Sequence, residues 1–444
     1  MTQIQSLHRV IWGSENKFTT DGSNTVVNQW LEAHLEWSNH EPFALVQRQG
    51  GPCSLLAPLQ AYIISVLKDR IEETQDETAT FSDLSSTILN SASNSASDSA
   101  SNITSCASNN REEILNLAVI KMFKNFKNPP QLLEEITNDG ETKLSNDDMK
   151  TWCKKLFNPG GLLLFVYSCV FTKTAQAIEQ EIGFLVDNIQ LIEPVHGHGE
   201  QSLLNLFLFG VATSNVFDGI RDLGGLIMTG LEERSQIGLL SLHEAYKSLE
   251  VGDNLKNPVY PIWVLSSETH FTVLWTDGKK LSETEMRASS KQQKLKQNLL
   301  QFEQDGGGFF KTEMLPNVME TCELMNDEDY IEFVKTELDS DDLGIIMINK
   351  FLEYFGDGDS GSSQNVPQSC SFEIYHYNGR VQSNFKEQVV FRKGRAQVVD
   401  YMDTGFASNN LEQILQTKWK NIMMEWDPVV DGEGKVTDFM PKDY

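Results

Sequence analysis

Positive charge is scarce in this 444-residue sequence: 36 Lys and Arg stand against 63 Asp and Glu, a formal net charge of −27. Binding to nucleic-acid phosphates draws its affinity from Lys and Arg, and no basic block with interleaved aromatics occurs, so the sequence argues against nucleic acid and favours a partner with a basic face. Long hydrophobic runs are missing as well. The longest apolar stretch, 161–171 (GLLLFVYSCVF), falls far short of the roughly 20 residues that span a bilayer, and residues 1–20 are polar with no signal-peptide core. Neither membrane insertion nor export is expected. The six cysteines, at 53, 106, 153, 169, 322 and 370, show no Cys-x-x-Cys spacing. That speaks against a disulfide framework or a zinc site and fits a reducing compartment, so the expectation is an intracellular chain, cytoplasmic or nuclear, with free thiols and neither cofactor nor metal.

What is present suffices for two or three domains, since 40% of the residues are apolar. Residues 82–110 are dominated by Ser, Asn and Ala and read as a disordered insertion, too poor in apolar side chains to offset the entropy of ordering. Helical spacing covers 112–126 and 148–157, the run 161–171 fits a buried strand or a buried helix, and 201–209 (QSLLNLFLF) reads as a helix between glycines. PIWVL and HFTVLW, joined by the turn-like 266–269, predict a hairpin. The first part of a mixed helix-and-strand core is therefore assigned to 1–280.

Over 281–356 the pattern changes to a repeated helix-loop-helix in which Gly308 and Gly344 are each followed by two large apolar residues, Phe309-Phe310 and Ile345-Ile346. It resembles a pair of EF-hands. With each glycine at the sixth loop position, the other ligand places hold Glu303, Asp305, Gly307 and Met314, then Asp339, Asp341, Leu343 and Lys350, so both closing carboxylates are missing and calcium is not expected. A second β-rich segment, 365–444, returns to the core: 371–377 alternates, Asn378-Gly379 is a hairpin-turn signal, and 388–391 and 396–399 are its candidate partners.

Cys53 stands after Gly-Gly-Pro and at the start of a run, Leu55 to Leu67, whose apolar residues recur at helical steps. In the first turn of a helix the unpaired amides and the dipole favour an anion, which would stabilise the thiolate. Pro58 is expected to kink the helix. A thiol nucleophile needs a base and an oxyanion donor. His270, at the start of a strand, is the candidate base. Gln47 and Gln49, in the extended lead-in, compete as the donor. Asp277 and Asn378 are candidates to orient His270. His196 and His198 read as loop residues, and His376 as one position of an alternating strand.

The runs 47–62 (QRQGGPCSLLAPLQAY), 196–219 (HGHGEQSLLNLFLFGVATSNVFDG), 267–275 (SETHFTVLW), 375–379 (YHYNG) and 415–419 (LQTKW) resemble the MINDY deubiquitinases, closest to the third-paralogue branch with its EF-hand-like insert. The resemblance implies an α+β fold, a divergent papain-like cysteine protease core carrying a helical EF-hand-like insertion. It implies Cys53 as nucleophile, His270 as general base and acid, and Gln47 as oxyanion stabiliser. The implied reaction is hydrolysis of the isopeptide bond after the ubiquitin tail, with lysine-48-linked polyubiquitin preferred and a monomer as the working species. The competing expectation is a non-catalytic ubiquitin-binding scaffold that docks partners through the EF-hand-like pair. The chain lacks an acidic lead into an Ala-Leu-x-x-Ser ubiquitin-interacting helix.

Overall fold

The computed structural model describes residues 3–13, 25–48, 50–73, 100–126, 146–183, 189–276, 295, 298–299, 301–304, 308–340, 342–356, 370–381, 389–398, 407, 409–419, 422–430 and 436–437. Helices and strands are mixed, an α+β arrangement, and the chain divides into two compact units: Met1–Asp277 with Ser371–Tyr444, and Gly278–Cys370.

The first unit is organised by α3 (Cys53–Glu73), which follows α1 (Gln3–Trp12) and α2 (Thr25–Glu32). Every residue of α3 from Cys53 to Leu67 is buried, because the helix is apolar nearly all round and is covered on several sides. The neighbours are α4 (Ala100–Lys124), α8 (Gln201–Phe209) and strands β4 and β5 described below. Between α4 and α8 run α5 (Asn146–Lys155), α6 (Gly161–Lys173) and α7 (Ala175–Ile182). The run whose periodicity was ambiguous, 161–171, is thus helical: Leu162, Phe165, Val166, Cys169 and Val170 recur at steps of three and four and are buried. Pro58 does not interrupt α3, which continues to Glu73. Of the stretch expected to be disordered, 82–99 lies outside the described residues, while 100–110 is helical backbone, the upstream extension of α4. Ile114, Leu115, Ala118, Val119 and Met122 supply the buried face of that helix.

A six-stranded sheet, in the order β10-β9-β8-β5-β4-β3, forms the other layer. Its strands are β3 (Gly238–Ser241), β4 (Ile262–Ser266), β5 (Phe271–Thr276), β8 (Cys370–Tyr377), β9 (Arg392–Val398) and β10 (Ile422–Trp426), while β1 (Ile220–Leu223) and β2 (Leu226–Thr229) make a separate hairpin. β4 and β5 are the antiparallel hairpin read from the sequence, with Val264 opposite Val273. β5 also pairs antiparallel with β8, Leu274 opposite His376. Asn378-Gly379 departs from expectation. Gly379 takes φ +81° and a side chain there would strike the Tyr377 hydroxyl, but the chain does not turn back tightly; Arg380 instead forms a parallel bridge with Gln47. The next strand to pair with β8 is β9, which begins twelve residues further on than a two-residue turn would place it. The pull of the 43–47 segment, described below, overrides the local turn signal.

In the second unit β6 (Phe309–Lys311) and β7 (Ile345–Met347) pair antiparallel, Phe310 opposite Ile346, each strand directly following a glycine with positive φ, Gly308 (+70°) and Gly344 (+74°). Around them α9 (Leu315–Thr321), α10 (Glu328–Leu338) and α11 (Ile348–Gly356) enclose a core of Phe310, Val318, Val334, Ile346, Phe351 and Phe355. The first helix of the repeated pattern lies mostly outside the described residues. Of the loop acids, Asp305 and Asp341 also lie outside them. Asp339 spends its carboxylate on the Leu343 and Gly344 amides (2.8 and 2.9 Å) and the Thr312 hydroxyl (2.8 Å), Glu303 accepts from the Gly308 amide (2.8 Å), and Lys350, at a closing place, donates to the Leu338 carbonyl (3.1 Å).

Candidate active site

Cys53 is the first residue of α3, and the carbonyl of Pro52 accepts the opening bonds from Leu55 and Leu56 (3.0 and 2.9 Å). Pro52 thus stands at the cap. The turn before it is packed tightly. Gly51 has φ +106°, and a side chain there would come within 3.0 Å of the Gly197 carbonyl, while a side chain at Gly199 would overlap the Ser54 hydroxyl at 1.9 Å. The HGHG run is therefore a close support of the turn before Cys53: Trp30 Nε1 donates to the Gly197 carbonyl (2.9 Å), and the Glu193 amide donates to the His198 carbonyl (2.8 Å). His196 lies against Glu193 and stacks on His198. Among the described residues no group of three or more His, Cys, Asp or Glu side chains is arranged to hold a metal ion.

His270 enters from the β4–β5 turn. Ser267 fixes it, its amide and hydroxyl donating to the His270 carbonyl (3.0 and 2.9 Å) while its oxygen accepts from the His270 amide (3.2 Å). The imidazole is buried. Its Nε2 faces the carbonyl and the side-chain oxygen of Asn378 (2.8 and 3.1 Å), and its Nδ1 is buried with no hydrogen-bond partner. Nε2 consequently carries the proton and leaves Nδ1 with a free lone pair. The next residue, Phe271, offers its backbone amide to the Cys53 sulfur. Of the two candidates to orient His270, Asn378 is in contact with it, and Asp277 lies outside the described residues.

Gln47 is buried, its amide donating to the Gly379 carbonyl (2.8 Å), one residue from the Asn378 that holds His270. Gln49 lies outside the described residues. Arg380 completes the constellation, bridging to Gln47 in backbone and within electrostatic range of both Cys53 and His270. Sequence reasoning missed Arg380, and its only signal was adjacency to Asn378-Gly379. His376, also buried, bonds Thr272 (3.0 Å) within the sheet, and burial, with Arg392 and His270 nearby, pushes its imidazole down to about 3.

The electrostatics correct one expectation. Burial of Cys53 raises its thiol above the ordinary value, and the Phe271 amide, Arg380, and the Ser54 and Cys53 amides at the helix start lower it by less. Burial, and then Arg380, push His270 down to about 4, although its two bonds to Asn378 act in the opposite sense. Burial thus favours the neutral thiol at Cys53 and the neutral imidazole at His270: the helix terminus acts the other way on the sulfur, but desolvation outweighs it.

The conserved domain of the MINDY-3/4 deubiquitinating enzymes matches residues 18–293. Ubiquitin carboxyl-terminal hydrolase MINDY-3 of Homo sapiens is 32% identical, the match covering 95% of this chain and 97% of that protein. The Danio rerio MINDY-3 is 33% identical over 94% and 96%, and the Drosophila melanogaster MINDY-3 homolog 28% over 96% and 82%. No solved structure matches.

Proposed function

The chain belongs to the MINDY-3/4 deubiquitinases and is a hydrolase acting on ubiquitin; from that premise we propose that it cleaves the isopeptide bond of lysine-48-linked polyubiquitin with Cys53 as nucleophile, His270 as base and acid, and Gln47 as oxyanion donor. The observation that carries the reading is the state of His270: one ring nitrogen tied to Asn378, the other buried, bare and beside the residue whose amide meets the Cys53 sulfur.

In this mechanism the substrate's terminal glycine carbonyl lies against the mouth of α3. The Cys53 sulfur bonds the carbonyl carbon as its proton passes to His270 Nδ1. Because both groups start neutral, proton transfer accompanies C–S bond formation. The Asn378 oxygen steadies the imidazolium at Nε2, and the oxyanion is met by the Cys53 amide and the Gln47 side chain. Collapse breaks the C–N bond, and His270 returns the proton to the leaving lysine amine. Water, deprotonated by the same imidazole, then hydrolyses the thioester and restores the thiol.

The order of a helix-borne Cys, a strand-borne His and an Asn at the end of the adjacent strand supports a divergent papain-like core. The paired strands after Gly308 and Gly344 support an EF-hand-like insertion. Free thiols at Cys53, Cys153, Cys169 and Cys322 support a cytoplasmic or nuclear location. The lysine-48 preference rests on the sequence resemblance.

Two measurements test the reading. A ubiquitin carrying an electrophile at its C-terminus should label wild type and not Cys53→Ala. A cleavage panel across polyubiquitin linkages should show lysine-48 chains cut fastest. Binding of long lysine-48 chains without cleavage by wild type would leave the scaffold reading in its place.

A further inference from the structure

We propose that Gln60 is a positioning residue for the oxyanion site, holding Gln47 at a fixed place relative to Cys53; the proposal rests on the reading of Gln47 as oxyanion donor. The segment 43–47 that carries Gln47 belongs to no extended strand, although Phe43, Ala44, Leu45, Val46 and Gln47 are all buried. Its backbone polar groups must find partners. Gln60 supplies two of them. Its Oε1 accepts from the Leu45 amide (2.8 Å) and its Nε2 donates to the Phe43 carbonyl (2.9 Å), so one side chain acts as a rung of sheet ladder against an irregular segment. On the opposite side the Tyr377 hydroxyl donates to the Leu45 carbonyl (2.7 Å), and the Gly379 carbonyl accepts from Gln47 itself.

The placement gives this clamp its meaning. Gln60 lies seven residues after Cys53 in α3, two turns along and on the same face, about 10 Å down the axis. The helix that presents the nucleophile thus also grips the segment that presents the oxyanion donor, two residues before that donor. Tyr377 and Gly379 bracket Asn378, which holds His270. Nucleophile, base and donor are referred to one helix and one strand end. An amide side chain suits position 60, because one end accepts and the other donates. Gln60 is the sole amide among residues 53–67 and is fully buried.

The test is a double-mutant cycle of Gln60→Met, near-isosteric but with neither bond, against Gln47→Ala, with thermal melts to verify folding. The substrate is the polyubiquitin linkage wild type cleaves fastest. The expected result is a fall in kcat of tenfold or more for Q60M with KM within twofold, and a double variant no more than twofold below Q47A alone. If Q60M does not fold, Tyr377→Phe, which removes only the bond to Leu45, carries the same non-additivity with Q47A at a kcat loss of about threefold. Losses that multiply, an unchanged kcat, or a rise in KM that accounts for the loss would overturn the proposal while leaving Gln47 in its role. A Q47A variant with wild-type kcat would remove the oxyanion assignment, and the role of Gln60 with it.

Discussion

The burial of both Cys53 and His270 makes a prediction that separates this site from a preformed thiolate–imidazolium pair. With the thiol raised by burial, the thiolate at pH 7 falls below the few per cent of an ordinary cysteine. With His270 near 4, its imidazolium is populated at about one part in a thousand at pH 7. Iodoacetamide reacts with the thiolate alone, so the rate of Cys53 alkylation, followed by mass spectrometry of the peptide that contains it, should climb about tenfold per pH unit from pH 6 to 8.5. His270→Ala should leave that slope intact. Arg380→Ala should slow the reaction at pH 8, because it removes a charge that favours the thiolate, and should raise the imidazole, because the same charge disfavours the imidazolium. A rate that is flat between about pH 5 and 8 would refute the argument, since a plateau there is the signature of a thiolate held by an imidazolium.

Replacing Asn378 with Ala removes the side-chain bond to His270 Nε2 and keeps the carbonyl bond, so kcat should drop roughly tenfold with KM little changed in steady-state cleavage. Gly199→Ala places a methyl on the Ser54 hydroxyl and should displace the start of α3, abolishing probe labelling, whereas Gly50→Ala, whose nearest neighbour is the Gln29 amide nitrogen at 3.6 Å, should label normally. Millimolar calcium should leave the thermal unfolding of the 278–370 unit unchanged, because Asp339 and Glu303 already bind backbone amides and Lys350 occupies a closing position; a calcium-dependent upward shift in differential scanning calorimetry would contradict this.

Local chemistry carried a large share of the outcome. The buried helix after Cys53, the hairpin around 262–276 and the paired segments after Gly308 and Gly344 were legible because periodicity, β-branched runs and turn residues act over a few neighbours. Gly161–Lys173 was ambiguous for the same reason: a run apolar on every side has no period to read, and only its neighbours decide. Charge and cysteine spacing set expectations for the classes of partner, and the residue types at 47, 53 and 270 made them candidates.

Other features depend on contacts between distant segments. The choice of Asn378 as the partner of His270 comes from β8 pairing with β5, which no turn signal encodes, and the grip of Gln60 on residues 43–45 joins groups 15 to 17 positions apart through a helix and an irregular segment. A helix start favours the thiolate at Cys53, and the desolvation that opposes it exists only once the folded chain buries the sulfur. Sequence by itself determined which groups could react; folding decided their protonation and alignment, because dielectric surroundings and through-space distances are properties of packed segments and not of neighbours along the chain.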